Sequence, residues 1–375
     1  MIRKFLKYNI NCKFQLQNQK NIIIFDKEGS EDIKKYVIGN MEKCFIYDVK
    51  TITLYFNIKF IIKYIKNLFT TKIENISLLK KLYLIYIKTE IQIFNPKIII
   101  TYNDDNIIYH YLIKLFQKIT FIAIQNGLRE EFIRDRVKHS INHDCLYCFG
   151  RNDQKKNILS NWAVKNIHPI GSLRVGIALS KFKSLNKKYD LCFISEYESR
   201  KENSESKDYW NNYWLNVSEI VSQLIKKKNY RTIIALNGRG AREINFFKSL
   251  FPANVEYSDP EKEHDSYRAI LESNLTLGFC STLLVESMAL NTRVLQINTS
   301  NTNKYFNFNE IFVHKYSNFD GLVNNIEELI STPYKDYFQK IENFLPEYMN
   351  INNANLPQNL IQNNIREILT STQVL

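Results

Sequence analysis

The sequence predicts an α/β protein made of two facing Rossmann-like, doubly wound domains. Three observations lead there. Short β-branched or aromatic runs alternate with helix-length runs through both halves of the chain, as parallel βαβ units require. Periodicity fades once, over Gly171–Lys188, and a fresh strand pattern then starts at Tyr189. The segment Gly278-Phe279-Cys280-Ser281-Thr282-Leu283-Leu284-Val285-Glu286-Ser287-Met288-Ala289-Leu290 reads as a strand end, a small-residue turn and a helix opening on Ser-Thr, with one acid a turn further in. The implied division is residues 1–175 and 176–350 for the two domains, with a C-terminal helix and tail over 351–375.

In the first half, Asn21–Phe25 and Cys44–Tyr47 are short strands, and Lys97–Tyr102 follows Pro96 and ends in Asn103-Asp104-Asp105. A helix over Asn106–Ile119 leads to strand Thr120–Gln125. Strand Cys145–Phe149, helix Asp153–Trp162 and strand Asn166–Ile170 complete the half. The second half reads as strand Tyr189–Ile194, helix Tyr209–Lys227, strand Thr232–Leu236, helix Ala241–Leu250, strand Val255–Ser258 and helix Asp265–Glu272. After the Gly278 segment come strand Ile311–His314, helix Phe319–Ile330 and an amphipathic helix Leu356–Leu369 that can pack on either domain. Ligands of such sheets bind beyond the carboxyl ends of the strands, so the expected site lies between the domains.

Hydrophobic residues make up 45% and charged residues 24% of the chain, a globular balance. The 23 Tyr and 24 Phe accompany abundant Asn, Lys and Ile, a bias of AT-rich coding, so aromatic count alone does not mark stacking sites. A net charge of +13 points to a phosphate-bearing substrate, an anionic membrane or a polyanion. No zinc-finger spacing, RNA-binding aromatic signature or basic tail supports nucleic acid. Met1–Phe14 lacks the continuous apolar core of a secretory signal, and no run is long enough to span a bilayer. With six cysteines read as free thiols, the expected location is cytoplasmic, with peripheral contact on the inner face of the membrane left open.

The Gly278 segment has physical reasons to hold a nucleotide. The first turn of a helix carries unpaired N–H groups and a positive dipole end, which suit a diphosphate. Ser281 and Thr282 add hydroxyls, Gly278 leaves room for the backbone to be approached, and Glu286 lies where a carboxylate can accept from two ribose hydroxyls. A plain strand-helix-strand unit with an N-capping Ser and a solvated Glu is the alternative. Asn237-Gly238-Arg239-Gly240-Ala241-Arg242 is a flexible loop after a strand; Arg239 is the first choice for donor phosphates because guanidinium binds them bidentately, and a solvated turn is the competing reading.

The set Thr101-Tyr102-Asn103-Asp104-Asp105-Asn106, Ala123-Ile124-Gln125-Asn126-Gly127-Leu128-Arg129, Cys148-Phe149-Gly150, Gly171-Ser172-Leu173-Arg174 and Asp190-Leu191-Cys192-Phe193-Ile194-Ser195 resembles a bacterial surface-carbohydrate (O-antigen) biosynthesis family. That family is similar to GT-B glycosyltransferases, with CDP-glycerol glycerophosphotransferases more distant. The resemblance spans most of Lys97–Asn298. It implies a GT-B-like fold, a nucleotide-sugar donor (UDP- or CMP-linked) on the C-terminal half and a glycan or lipid-linked acceptor on the N-terminal half. No bound cofactor or metal is implied, the nucleotide sugar being a co-substrate. Ser281-Thr282 with Glu286 also resembles CMP-sugar transferases, which carry a His-Pro pair; here His168-Pro169 precedes the domain crossover.

The resemblance lends Gln125, Asn126, Gly127 and Arg129 a substrate-binding role where Asn-Gly alone would be a plain turn. Arg174, after Gly171-Ser172, reaches toward substrate from the hinge or makes a salt bridge there. An inverting transferase needs a general base. Asp104 and Asp105 are the best placed, ending a strand, with helix capping as their alternative role; Glu130, Asp135 and His143 lie on the same expected edge. Cys145 and Cys148 fall in a strand pattern that points them to opposite faces, against a zinc site. Lys59, Lys63 and Lys66 share a helical face with Ile61, Ile65 and Leu68 opposite, either a surface helix over the core or a membrane-lying one. The implied activity is metal-independent glycosyl transfer; a CDP-polyol phosphotransferase and a non-catalytic scaffold of glycan assembly are the alternatives.

Overall fold

Ile22–Phe25 is an unbroken apolar run and Ile98–Thr101 is one closed by a single hydroxyl; both are too short for helices and apolar on both faces, as strands inside a parallel sheet must be. The computed structural model, which describes residues 9–14, 20–49, 51–73, 76–128, 142–159, 163–197, 205–238, 240–299 and 312–371, places them at the centre of a six-stranded sheet. Two units are formed, Met1–Ile170 with Asn352–Leu375, and Gly171–Ile351.

The first unit runs β1 (Asn9–Lys13), β2 (Ile22–Phe25), α1 (Ser30–Asp32, continuing as a π-helical stretch Ile33–Ile38), β3 (Cys44–Tyr47), β4 (Thr51–Tyr55), α2 (Ile58–Thr70), α3 (Leu78–Phe94), β5 (Ile98–Thr101), α4 (Ile107–Leu115), β6 (Thr120–Ile124), β7 (Asn142–Cys148), α5 (Arg151–Leu159) and β8 (Ala163–Pro169). The sheet is parallel, in the order β3-β2-β5-β6-β7-β8, while β1 and β4 pair separately. Strand order therefore reverses between β2 and β5, so the loops after those two strands adjoin. Ile23, Phe25, Ile99 and Phe121 on the sheet meet Ile87, Ile91 and Phe94 of α3 in one core. Each such side chain contributes about 1.5–3 kcal/mol relative to exposure.

The second unit runs α6 (Leu173–Lys181), β9 (Tyr189–Ile194), α7 (Glu205–Lys228), β10 (Thr232–Ala235), α8 (Ala241–Leu250), β11 (Glu256–Tyr257), α9 (Asp265–Leu271), β12 (Ser273–Gly278), α10 (Thr282–Ala289), β13 (Arg293–Asn298), β14 (Val313–Lys315), α11 (Phe319–Ser331), α12 (Tyr334–Ile341) and α13 (Leu345–Tyr348). Its parallel sheet has the order β11-β10-β9-β12-β13-β14. Numbered from its first strand this is 3-2-1-4-5-6, the dinucleotide-fold order, with the switch point between β9 and β12.

Several expectations shift. The stretch after Gly171, expected to be an irregular crossover, holds α6: Leu173, Val175, Gly176, Ile177 and Ala178 are all buried, so the helix has no one-sided stripe to betray it. Strand β7 starts at Asn142 rather than Cys145, because its polar first residues pair with Ala163 and Val164 of β8. The last helix, α14 (Pro357–Ser371), belongs to the first unit, where Gln362 Nε2 donates to the Val37 carbonyl at 3.1 Å.

Candidate functional site

Three loops follow strands at the carboxyl edge of the second unit's sheet. Beyond β9 comes Ser195-Glu196, beyond β10 Asn237-Gly238, and beyond β12 Phe279-Cys280-Ser281 leading into α10. Glu196 Oε1 accepts three consecutive backbone N–H groups across the switch point, from Phe279 (3.0 Å), Cys280 (2.7 Å) and Ser281 (3.1 Å). The Cys280 thiol adds a contact of 3.3 Å to Oε2. Three converging N–H donors at a helix start form an anion cradle, and a carboxylate of the chain itself sits in it. The residue is half-buried, yet its carboxylate is closely surrounded; that desolvation raises its pKa, while the Cys280, Phe279 and Ser281 donors pull it back part of the way.

Ser281 is the N-cap of α10, its Oγ accepting from the Leu283 N–H at 3.2 Å, and Thr282 is the first helical residue, half-buried. Gly278 does not open space for a ligand as expected. A Cβ there would stand 3.0 Å from Leu284 Cδ1, so the missing side chain serves the close packing of α10 on β12. Glu286, expected as a solvated or ribose-facing acid, is 5% exposed. Ser172 Oγ donates to its Oε1 at 2.5 Å and the Tyr267 hydroxyl to its Oε2 at 2.8 Å. Burial raises its pKa; the two hydroxyls and the positive charge of Arg174 oppose that. Arg174, in the first turn of α6, is thus brought into the electrostatic environment of Glu286.

Gly238 and Gly240 both have left-handed φ, +74° and +75°, and among the described residues nothing lies within 4 Å of an added Cβ at either. The loop keeps an open backbone at the sheet edge, anchored beneath by Glu243, which accepts from the Asn237 N–H at 2.7 Å and from the Ser195 hydroxyl. Arg239, the expected phosphate ligand, lies outside the described residues, as does Arg129 of the first unit.

In the first unit Gln125 is 2% exposed and committed to structure. Its amide donates to the Gly127 carbonyl (2.9 Å) and to Asp153 (3.2 Å), and its oxygen accepts from the Phe149 N–H (3.1 Å). It ties the loop after β6 to the end of β7 and to the first turn of α5 instead of projecting to a substrate. Asn126 and Gly127 remain partly exposed, with Asn126 Nδ2 3.5 Å from Glu28. Asp104 is 1% exposed while Asp105 is half-buried. Neither caps α4: Asn106 does, its Oδ1 accepting from Ile108 (3.0 Å) and Tyr109 (3.3 Å). His143 is not on a loop at the ligand edge. It sits near the amino end of β7, buried against His110 with ring centroids 4.9 Å apart, so it is no candidate base. Glu130 and Asp135 lie outside the described residues. His168, in β8, stacks on Tyr147 at 5.4 Å.

Two features escaped the sequence reading. Glu196 was one polar residue in a loop of several, and its partners lie more than eighty positions away. The loop after β2 is the other: Asp26 has φ +80°, Gly29 φ +65°, and a Cβ on Gly29 would stand 2.3 Å from Tyr102 Cδ1, so this loop packs directly on the one after β5.

Over residues 122–318, from β6 to the start of α11, the chain matches the model of a family described as "putative O-antigen biosynthesis protein". The chain belongs to that O-antigen biosynthesis family. Solved structures similar to it include Staphylococcus aureus MnaA in its co-structure with UDP, at TM-score 0.54 and 9% identity, covering 98% of each chain. The wall teichoic acid polymerase TagF is similar at TM-score 0.52 and 13% identity, covering 92% of this chain and 90% of that one. UDP-GlcNAc 2-epimerase from Neisseria meningitidis, bound to UDP-GlcNAc, is similar at TM-score 0.50 and 14% identity, over 93% and 99%. No curated protein sequence matches. At such identities the likeness shows the fold, so this member of the O-antigen biosynthesis family has the GT-B-like pair of Rossmann-like units.

Proposed function

We propose that the protein is a metal-independent glycosyltransferase that moves a sugar from a nucleotide-sugar donor to a surface-glycan acceptor. The observation that carries this reading is the anion cradle formed by Phe279, Cys280 and Ser281 at the switch point of a 3-2-1-4-5-6 sheet. A donor phosphate takes the position of the Glu196 carboxylate, beside the turn of Gly238 and Gly240, and Arg239 is the guanidinium assigned to it from the sequence. Glu286, held one turn along α10, turns toward the ribose. Fixed N–H dipoles and guanidinium then stabilise the charge that develops on the leaving phosphate.

The acceptor belongs to the first unit, near Asn126 and Gly127. Asp105, the accessible member of its acidic pair, takes the acceptor proton as the hydroxyl attacks the anomeric carbon and the bond to phosphate breaks. Family membership, and the UDP-GlcNAc and UDP named with similar folds, support the nucleotide-sugar donor.

Calorimetric titration with UDP, CMP and GDP and their sugars tests the reading, with mass spectrometry of the products. Binding of a nucleotide and a hexose-sized mass gain on an acceptor are expected. Failure of every nucleotide to bind overturns it, and a gain of glycerol phosphate would replace it with polyol-phosphate transfer.

A further inference from the structure

Helix α2 is turned inside out. Ile58, Ile61, Ile62, Ile65 and Phe69 recur at the spacing of one helical stripe, the pattern of a core-facing side. All five are exposed, Phe69 by 85%, while Phe60 and Asn67 on the opposite side are the buried residues that meet α3. The stripe continues past the helix. Phe56, immediately before it, lies 5.6 Å from the ring of Phe14, and both rings are exposed, as is Leu78 at the start of α3. Nearly every large exposed hydrophobic side chain of the described residues falls in this one region, and a contiguous apolar surface of that kind marks a binding face.

We infer that this face docks the protein on a membrane surface of anionic lipid. Charge decides the occupant. Residues 51–89 contain seven lysines and a single acid, Glu74. Lys59, Lys66, Lys72 and Lys80 are exposed, and Lys59 and Lys66 flank the apolar stripe on α2. Isoleucines and phenylalanines that enter the acyl boundary, with lysines at the level of the headgroups, are the composition of an interfacial helix. A second copy of the chain is a poor occupant, because a two-fold contact through this face would set lysine against lysine. No helix among the described residues is long and apolar enough to cross a membrane, so the contact is a surface one at this site.

Co-sedimentation of the full chain with vesicles tests the inference. Wild-type protein is expected to bind phosphatidylglycerol-containing vesicles, to bind less as salt rises, and to leave pure phosphatidylcholine vesicles largely unbound. Ile62→Asp with Phe69→Asp should abolish binding. Lys59→Glu with Lys66→Glu should lower partitioning by more than about ten-fold, each lysine near the surface being worth about five-fold. All four side chains are exposed, so unchanged circular dichroism and thermal midpoint are expected, and nucleotide affinity should stay at the wild-type level. Equal binding to neutral vesicles, binding unaffected by both pairs of substitutions, or a concentration-dependent dimer dispersed by Phe69→Asp would overturn the inference.

Discussion

Glu196 accepts the backbone N–H of Cys280 at 2.7 Å, joining the loop after the first strand of the second unit to the helix start after the fourth. The same carboxylate oxygen takes the neighbouring N–H groups of Phe279 and Ser281. An anion site is therefore filled from within, and a phosphate has to displace a like charge to enter. Three consequences at that edge, and two elsewhere, are measurable.

Glu196→Gln keeps a carbonyl oxygen for the N–H groups and removes the charge. Hydrogen bonds to a charged group exceed neutral ones by about 1 kcal/mol, so nucleotide affinity should rise about five- to ten-fold. Calorimetry on both proteins checks this; a weaker complex in the variant would show that Glu196 helps to hold the ligand.

Glu286→Ala leaves the hydroxyls of Ser172 and Tyr267 buried without their acceptor, a loss of about 1–3 kcal/mol per orphaned group. Denaturant unfolding should report it. Glu286→Gln retains an acceptor and should unfold nearly as wild type while binding nucleotide about ten-fold more weakly. Equal affinity would remove Glu286 from the ribose contact.

Gly240 has φ +75° and, among the described residues, nothing within 4 Å of an added Cβ, so Gly240→Ala meets backbone strain and no clash with them. With ψ −158° this is a glycine-only conformation, so a stability loss of about 1–3 kcal/mol is expected, with a larger proportional loss of nucleotide affinity if the turn contacts phosphate. Loss of stability alone, with affinity intact, would make the loop a spectator.

Acid sensitivity should come from His110. Burial holds its pKa down at about 4, below the ordinary 6.5, so the unfolded chain takes up the proton first. Stability is present above about pH 6.5 and falls as pH drops toward 4, by about 3 kcal/mol. His143, packed against it and depressed by the same burial, adds in the same direction. His110→Phe should flatten the pH dependence of the unfolding free energy in that window; an unaltered slope would contradict the assignment.

Glu90 works in the opposite sense. Its carboxyl, buried in α3 where Tyr47 donates to it at 2.5 Å, is pushed up to about 7, mainly by desolvation. Its contribution is complete below the unfolded value near 4.5 and is lost as pH rises through 7, again by about 3 kcal/mol. Glu90→Gln should therefore gain on wild type at pH 8 relative to pH 5, as thermal midpoints at the two values would show.

Much of this architecture was legible because strand cores announce themselves. Thr232–Ala235, Tyr189–Ile194 and Ile22–Phe25 fall within a residue of their expected bounds, since short apolar runs between polar turns have few other ways to fold. Periodicity, by contrast, groups residues without saying which group faces in. The stripe on α2 was legible and its outward orientation was not, because Phe60 and Asn67 win the inner side through partners on α3. Site residues divide the same way. Ser281 reads locally as a cap and is one. Gln125 read as a ligand residue, yet its three bonds go to Gly127, Phe149 and Asp153, two of them remote in sequence. Glu196 stands in a polar loop after a strand, but its partners could not be read, because its cradle is assembled by strand order.

The most direct measurement is a crystal structure of the full chain with the tightest-binding nucleotide. The account predicts a phosphate oxygen within hydrogen-bond distance of the amides of Phe279, Cys280 and Ser281, with the Glu196 carboxylate moved off them. A nucleotide bound elsewhere, with Glu196 still on those amides, would contradict it.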